Sequence, residues 1–198
     1  VTFRSATNHM SRDGVIKVIA SEDMANWEVV AEAQRSERDL RDPKIVAFRD
    51  RLMVFAAACN RDLGIRRSVM FRSDDGVSFS DPVELDGIPE GHWLWHAQPR
   101  GDRLYGAAYC KKGNDNNVIL CASDDALNWQ KLTDIPVPGN ETYVDFDTEG
   151  ILWALVRCDP NGGIPALCAA EPPYTDFHMV KRLPVRLQGP MVKRLNDG

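Results

Sequence analysis

The sequence predicts an all-β fold, a β-propeller of four-stranded antiparallel blades, from three observations. A Ser-x-Asp-x-x-x-aromatic motif occurs three times, as "SEDMANW" (21–27), "SDDGVSF" (73–79) and "SDDALNW" (123–129), with its serines 52 and 50 residues apart. Apolar, β-prone runs keep the same beat: "RDRLMVFAAA", "GDRLYGAAY" and "EGILWALV" each begin at a turn, and "PKIVAF", "WLWHAQP" and "TYVDF" precede them. Helix-period patterns and helix caps are nearly absent, while Gly, Pro, Asn and Asp punctuate the chain at short intervals. A β-rich unit repeating about every fifty residues fits propeller blades better than a sandwich.

Each repeat reads as strand, tight turn, strand, longer loop, strand, Asp motif and short outer strand. In the second repeat the predicted strands are 43–48, 51–59, 67–72 and roughly 82–85, with the motif at 73–79. The repeats run approximately over 1–34, 41–86, 92–135 and 140–182, with a partial one at 183–198, all within one domain. The fourth repeat has Ala170 and Pro172 where Ser and Asp are expected, and Phe177 in the aromatic slot. Its lost polar pair is expected to be offset by Pro-Pro stiffness. The opening "VTFRSATNH" is in phase with the second strand of a blade, and "GPMVKRLNDG" reads as a first strand and half a turn. Two arrangements fit that phase: the last strand closes a ring of about four blades against the first, or the chain belongs to a five- or six-bladed propeller.

Within the motif, Asp23, Asp75 and Asp125 are expected to accept backbone N–H groups of their own loops, assisted by Ser21, Ser73 and Ser123. Trp27, Phe79 and Trp129 then close each hairpin by packing beneath it. Three copies around a ring point in three directions, whereas an active site converges, so these residues are read as structural.

The chain has 198 residues, 43% hydrophobic and 27% charged, with a net charge of −5. That balance describes an ordinary globular protein and excludes a broad nucleic-acid face, though not a local basic pocket for a small anion. No apolar run approaches the roughly 18 to 20 residues of a membrane span. No signal peptide is visible, and the sequence has no initiator Met, which leaves its true N-terminus and localisation open. The five cysteines include no CxxC pair and no zinc-ligand spacing. Buried thiols are expected, with cross-strand bridges Cys110–Cys121 and Cys158–Cys168 as the alternative; Cys59 has no such neighbour.

Taken in order, "FRSATNHMSRDG", "SEDMANW", "DLRDPK", "WLWHAQPRGDRLYGAAY", "GNETYVDFDTEGILWALVR" and "GPMVKRL" resemble the sialidase (neuraminidase) superfamily of β-propeller glycosidases, most nearly its uncharacterised bacterial sialidase-like proteins. The three motifs are then Asp-boxes. The resemblance implies an arginine triad holding a substrate carboxylate, an Asp as general acid/base, a Tyr nucleophile and a Glu that polarises it. Glu141 matches the polarising carboxylate and Arg157 a triad arginine, at facing ends of two antiparallel strands; a rim salt bridge is the alternative. Asp13 matches the acid, eight residues before Ser21, although Asp13-Gly14 is also a common turn pair. His9 supports or replaces it.

Arg4 is a further triad candidate, and Arg194 a weaker one. Arg41 and Asp42 begin an inner strand at "RDP", a string that also resembles five-bladed propeller glycosidases of the invertase and arabinanase type, in which carboxylates flank the cleaved bond. Trp95 is read as a sugar-stacking or blade-packing ring, with His96 on the opposite side of that strand. Tyr143 shares a strand face with Glu141; Tyr105 and Tyr109 read as packing, and Arg100 and Arg103 as turn residues. The expected function is cleavage of a terminal, acidic sugar from a glycan, with no metal or organic cofactor implied. The alternatives are another propeller glycosidase or polysaccharide lyase using Asp42 with Glu141, and a non-catalytic carbohydrate-binding propeller.

Overall fold

The computed structural model describes residues 1–9, 11–36, 38–60, 62–112, 115–159 and 163–193, and its chain divides into two units, Val1–Asp86 and Gly87–Gly198. In the first unit β1 (Thr2–Ser5), β2 (Val15–Ala20) and β3 (Glu28–Ala33) form one antiparallel sheet in chain order. Strands β4 (Asp39–Phe48), β5 (Arg51–Asn60), β6 (Ile65–Ser73) and β7 (Val83–Glu84) form a second. In the second unit the sheets are β8 (His92–Arg100), β9 (Arg103–Lys112), β10 (Asp115–Ser123), β11 (Gln130–Asp134), and β12 (Thr142–Phe146), β13 (Leu152–Val156), β14 (Ala166–Ala170), β15 (His178–Arg182). All are up-and-down meanders, the blade topology that the repeat predicts. No helix among the described residues is long and apolar enough to cross a membrane.

Alternation of apolar residues builds these sheets. Ile16 and Val18 of β2 point into a cluster with Leu40, Val54, Ala56, Ala58, Val69 and Phe71. The central strand β5 is buried on both faces from Met53 to Cys59, and its run of small side chains admits close neighbours on either side. At the β4–β5 hairpin Arg49 and Asp50 both adopt positive φ (49° and 59°), the type I′ geometry that matches strand twist.

Two strands depart from the sequence reading. β4 begins at Asp39 rather than at 43, because the ladder carries through Pro43 by a register shift between Arg41 and Lys44, with Asp42 at φ 54°. Proline has no N–H for the ladder, and a bulge removes the need for one. The described residues of the last segment, 189–193, carry no strand: Gly189 N–H and the Lys193 ammonium bind side chains of the second unit. Further register shifts at Val18/Ile19, Leu120/Cys121 and Leu167/Cys168 each lie just ahead of a motif turn, a repeat that residue type does not reveal.

Each of the three motif carboxylates holds its own loop, while the Trp27 ring of the first motif stays largely exposed instead of packing beneath its hairpin. Asp125 Oδ1 accepts from the backbone N–H groups of Leu127 (2.9 Å) and Asn128 (2.7 Å) and from the Ser123 hydroxyl (3.1 Å). Asp23 and Asp75 do the same with Ala25 and Asn26, and with Val77 and Ser78. Met24, Gly76 and Ala126 take the left-handed step at the same motif position. In the fourth turn Tyr174 supplies what Ser and Asp do not: its N–H donates to Glu171 O (2.7 Å) and its hydroxyl to Gly150 O (2.9 Å), while Phe177 is buried in the aromatic slot.

Burial works against ionisation of Asp125, but the bonds from Asn128, Leu127 and Ser123 outweigh it and hold the carboxyl at about 2, below its ordinary 3.8. A folded pKa below the unfolded one contributes stability that is complete above the unfolded value and lost as pH falls through the folded one. Asp125→Asn is therefore expected to melt below the wild type at pH 7, and the gap to close between about pH 4 and pH 2. Thermal melts at pH 7, 4 and 2.5 check this; a gap independent of pH contradicts it.

The five cysteines are free thiols, four of them buried. Cys110 stands opposite Asn117 and Cys121 opposite Gly106, so that pair is out of register, and Cys168 faces Ala154 rather than Cys158. Burial pushes the Cys121 and Cys168 thiols up to about 12, which leaves them unreactive.

Candidate functional site

In the second unit β12 and the residue before it present Glu141, Tyr143 and Asp145 on one side, by the two-residue period of a strand. Arg157 stands directly across from Glu141, its N–H donating to Glu141 O (3.0 Å), because the ladder of β12 and β13 continues one pair beyond both strands. Its guanidinium meets Glu141 Oε1 at 2.8 Å and Asp159 Oδ1 at 2.8 Å, and Glu141 and Arg157 are each 19% exposed. Gly189 N–H donates to Glu141 Oε2 (2.9 Å), and Asn140 links Asp159 Oδ2 (2.7 Å) to the Glu141 N–H (2.8 Å). Burial works against the Arg157 charge, but the bonds to Glu141 and Asp159 prevail and raise its pKa.

Two residues further along, Tyr143 stacks on the buried His96 ring of β8 with centroids 3.8 Å apart and planes at 25°. Val144 N–H donates to His96 Nδ1 (3.4 Å), which makes Nδ1 the acceptor and places the proton of the neutral ring on Nε2. Burial, then the Asp145 carboxylate, pushes the Tyr143 phenol above its ordinary range against the opposing Lys193. Asp145 Oδ2 pairs with Lys193 Nζ at 3.0 Å, and its Oδ1 accepts the Phe146 N–H at 3.0 Å.

In the first unit the centre is Asp39, which the sequence reading did not single out. Its Oδ1 takes Arg4 Nε (2.9 Å) and Nη2 (2.8 Å), and its Oδ2 meets Arg41 Nε at 3.0 Å. Arg4 also donates to Asn8 O and Ser11 O, and Arg41 to His9 O (2.6 Å). Arg4, Arg41 and the His9 backbone thus meet around an acid buried to 6%.

Asp13 lies on the exposed loop above them. It accepts the backbone N–H of Thr7 (3.1 Å to Oδ2) and the Thr7 hydroxyl. The Ser11 and Thr7 hydroxyls lead in lowering its carboxyl to about 2. Asp42 occupies the β4 bulge, where its carbonyl accepts the Lys44 ammonium (3.3 Å).

Trp95 is 7% exposed and, like Trp93, meets Tyr109 edge-on, at 6.1 Å against 4.9 Å, so its ring belongs to the packing. A register shift between Leu94 and His96 breaks the simple alternation assumed there. Tyr105 packs on Phe146 and Tyr174. Arg194 lies outside the described residues. Besides Asp39, the sequence reading missed Asp145, Lys193 and Asp159. An acid flanked by apolar residues in an inner strand, as in "YVDF", was the available signal for Asp145. Among the described residues no group of three or more His, Cys, Asp or Glu side chains is placed to hold a metal ion.

The sheets and their likeness to solved structures define a β-propeller. A protein of unknown function from Dyadobacter fermentans matches with TM-score 0.76 at 16% identity, over 93% of this chain and 65% of its own. The family 93 α-L-arabinofuranosidase of Fusarium graminearum, solved with arabinobiose, matches with TM-score 0.65 at 13% identity, over 90% and 58%. A family 117 glycoside hydrolase from the marine bacterium Zobellia galactanivorans matches with TM-score 0.66 at 16% identity, over 86% and 56%. The chain thus spans less than two thirds of each of these proteins, and at such identities the likeness is one of fold. No family model and no curated protein matches the sequence.

Proposed function

We propose that this β-propeller is a glycoside hydrolase that removes a terminal sugar from a glycan, with Glu141 as its working carboxylate and Arg157 as the group that orients it. The observation that carries the reading is the row Glu141, Tyr143, Asp145 on one side of β12, with Arg157 registered across from Glu141. Support comes from the fold, which the chain shares with the Fusarium and Zobellia glycosidases. Glycosidic cleavage needs a carboxylate to act on water or on the anomeric carbon and a proton donor for the leaving oxygen. A phenol kept protonated by burial suits Tyr143 to donating a hydrogen bond and not to nucleophilic attack. Asp13, with its carboxyl at about 2, holds no proton to give near neutral pH, so it stays in this reading as a loop support.

The exo-sialidase form of the reading draws on the motif resemblance and on the Glu141–Arg157 pair. Against a carboxylate clamp stand Arg4 and Arg41, whose guanidinium groups already bind Asp39 and loop carbonyls. We therefore place a neutral terminal sugar ahead of a sialic acid. The test is a panel of nitrophenyl glycosides that includes α-L-arabinofuranoside, the galactosides and an α-sialoside. The wild type is expected to cleave a neutral member, and Glu141→Gln to lower kcat by at least about 10²-fold with a melting temperature within about 2 °C. Asp13→Asn is expected to keep most of the activity. A wild type inert on the whole panel, or a Glu141→Gln variant as active as the wild type, overturns the proposal.

A further inference from the structure

The second unit holds a cavity of about 330 Å³ beside β12, walled by Asp145, Trp153, Leu167, Val192 and Lys193. We propose that this cavity is a binding subsite for a neutral sugar, with Trp153 as its platform and the Asp145–Lys193 pair as its hydroxyl-binding edge. A sugar needs two things from a protein: a flat apolar surface for its C–H face, and adjacent donors and acceptors for its hydroxyls. Trp153 is the cross-strand partner of Asp145, so the two side chains rise from the same face of the sheet.

The platform is fixed before any ligand arrives. Trp153 Nε1–H donates to Asp147 Oδ2 (2.8 Å), while Asp147 Oδ1 accepts the N–H groups of Glu149 (3.0 Å) and Ile151 (2.9 Å). One carboxylate thus ties the indole edge to the β12–β13 turn and sets the plane of the ring, which costs less entropy than ordering a free aromatic on binding. Burial works against ionisation of Asp147, yet the bonds from Trp153 and the turn keep it below its ordinary range.

Beside the ring, Asp145 Oδ2 and Lys193 Nζ lie 3.0 Å apart, an acceptor and a donor side by side as vicinal hydroxyls require. Lys193 is 57% exposed, so its three-donor ammonium reaches the opening as well as Asp145. Phe146, Leu167 and Val192 supply the remaining apolar wall. The paired charges cancel, and the Asp147 carboxylate adds a negative one, so the cavity has no excess positive charge for a carboxylate or sulfate. Its volume sits at the lower end of the roughly 300–1,000 Å³ range of ligand pockets, which suits one or two sugar rings. Asp145 lies four residues along β12 from Glu141, about 13 Å at the ordinary strand rise, so the subsite is separate from the Glu141–Arg157 pair and stands without the catalytic reading.

Titration of the full chain with methyl β-D-galactopyranoside, L-arabinose and N-acetylneuraminic acid, followed by calorimetry and tryptophan fluorescence, tests the inference. At least one neutral sugar is expected to bind saturably with Kd of about 1–10 mM, no weaker than N-acetylneuraminic acid. Lys193→Met is expected to weaken it about fivefold while still folding cooperatively, and Trp153→Leu about tenfold. Because Lys193 is a surface residue, its variant keeps the test decisive should Trp153→Leu fail to fold. No saturable neutral-sugar binding, tighter binding of the acidic sugar, or binding indifferent to Lys193→Met overturns the subsite. Sugar binding without hydrolysis leaves it standing and sinks only the catalytic proposal. Hydrolysis without these binding effects does the reverse.

Discussion

Replacing Trp129 by Ala is expected to lower stability by about 3–5 kcal/mol, whereas Trp27→Ala, at the same motif position, costs only about 1 kcal/mol. Both indoles make the same internal bond, Trp27 to Met24 O (3.3 Å) and Trp129 to Ala126 O (3.1 Å). Burial separates them: Trp129 is 4% exposed and Trp27 44%. The Trp129 ring fills a slot opened by Gly106, where an added Cβ would lie 3.0 Å from the ring, and Gly87 packs against the Trp129 backbone. Truncation there leaves a cavity that rigid neighbouring strands cannot collapse. Urea unfolding of the two variants measures the difference. Equal losses would mean that the turn bond, not the buried ring, stabilises the hairpin. The same contrast says what the motif is for: it terminates a blade and anchors a ring, and it contributes stability only as far as that ring is buried.

The repeat made the sheets legible because its punctuation recurs, a two-residue hairpin early in the second and third blades and a Ser-x-Asp turn late in the first three. Glu141 and Arg157 were legible as a pair because the hairpin around 147–151 is short enough for counting to fix the register. Three things were hidden. Bulges at Asp42 and near Trp95 shift a strand by one residue without any change in hydrophobic pattern, so side-chain direction there does not follow from alternation. Lys193 meets Asp145 across 48 positions of sequence, a distance over which no local rule carries. Tyr174 replaces an absent Ser–Asp pair with a backbone bond and a hydroxyl, a substitution of mechanism rather than of residue type.

The clearest case is Asp39, whose replacement by Ala is expected to cost about 3–5 kcal/mol. Its side chain is 6% exposed, between Arg41 at 9% and Arg4 at 16%, and both of its oxygens carry guanidinium contacts of 2.8–3.0 Å. Removing it strands two charges that the loop carbonyls of His9, Asn8 and Ser11 satisfy only in part. Gly14 makes the cluster possible: a Cβ there would fall 1.9 Å from Asp39 Oδ1 and 2.8 Å from Arg4 Nε. The Asp13-Gly14 pair reads in sequence as a turn signal, yet its glycine is required for room. The pair Asp39→Leu with Arg41→Met should recover part of the loss, since it removes one of the two stranded guanidinium groups and leaves Arg4 on its loop carbonyls. Chemical denaturation of the two single variants and the double variant yields the coupling. A loss under about 1 kcal/mol for Asp39→Ala would instead mark the cluster as a screened surface pair. A tighter hold on N-acetylneuraminic acid in Asp39→Asn would return Arg4 and Arg41 to the sialidase reading, because the arginines it releases would then have proved able to take a substrate carboxylate.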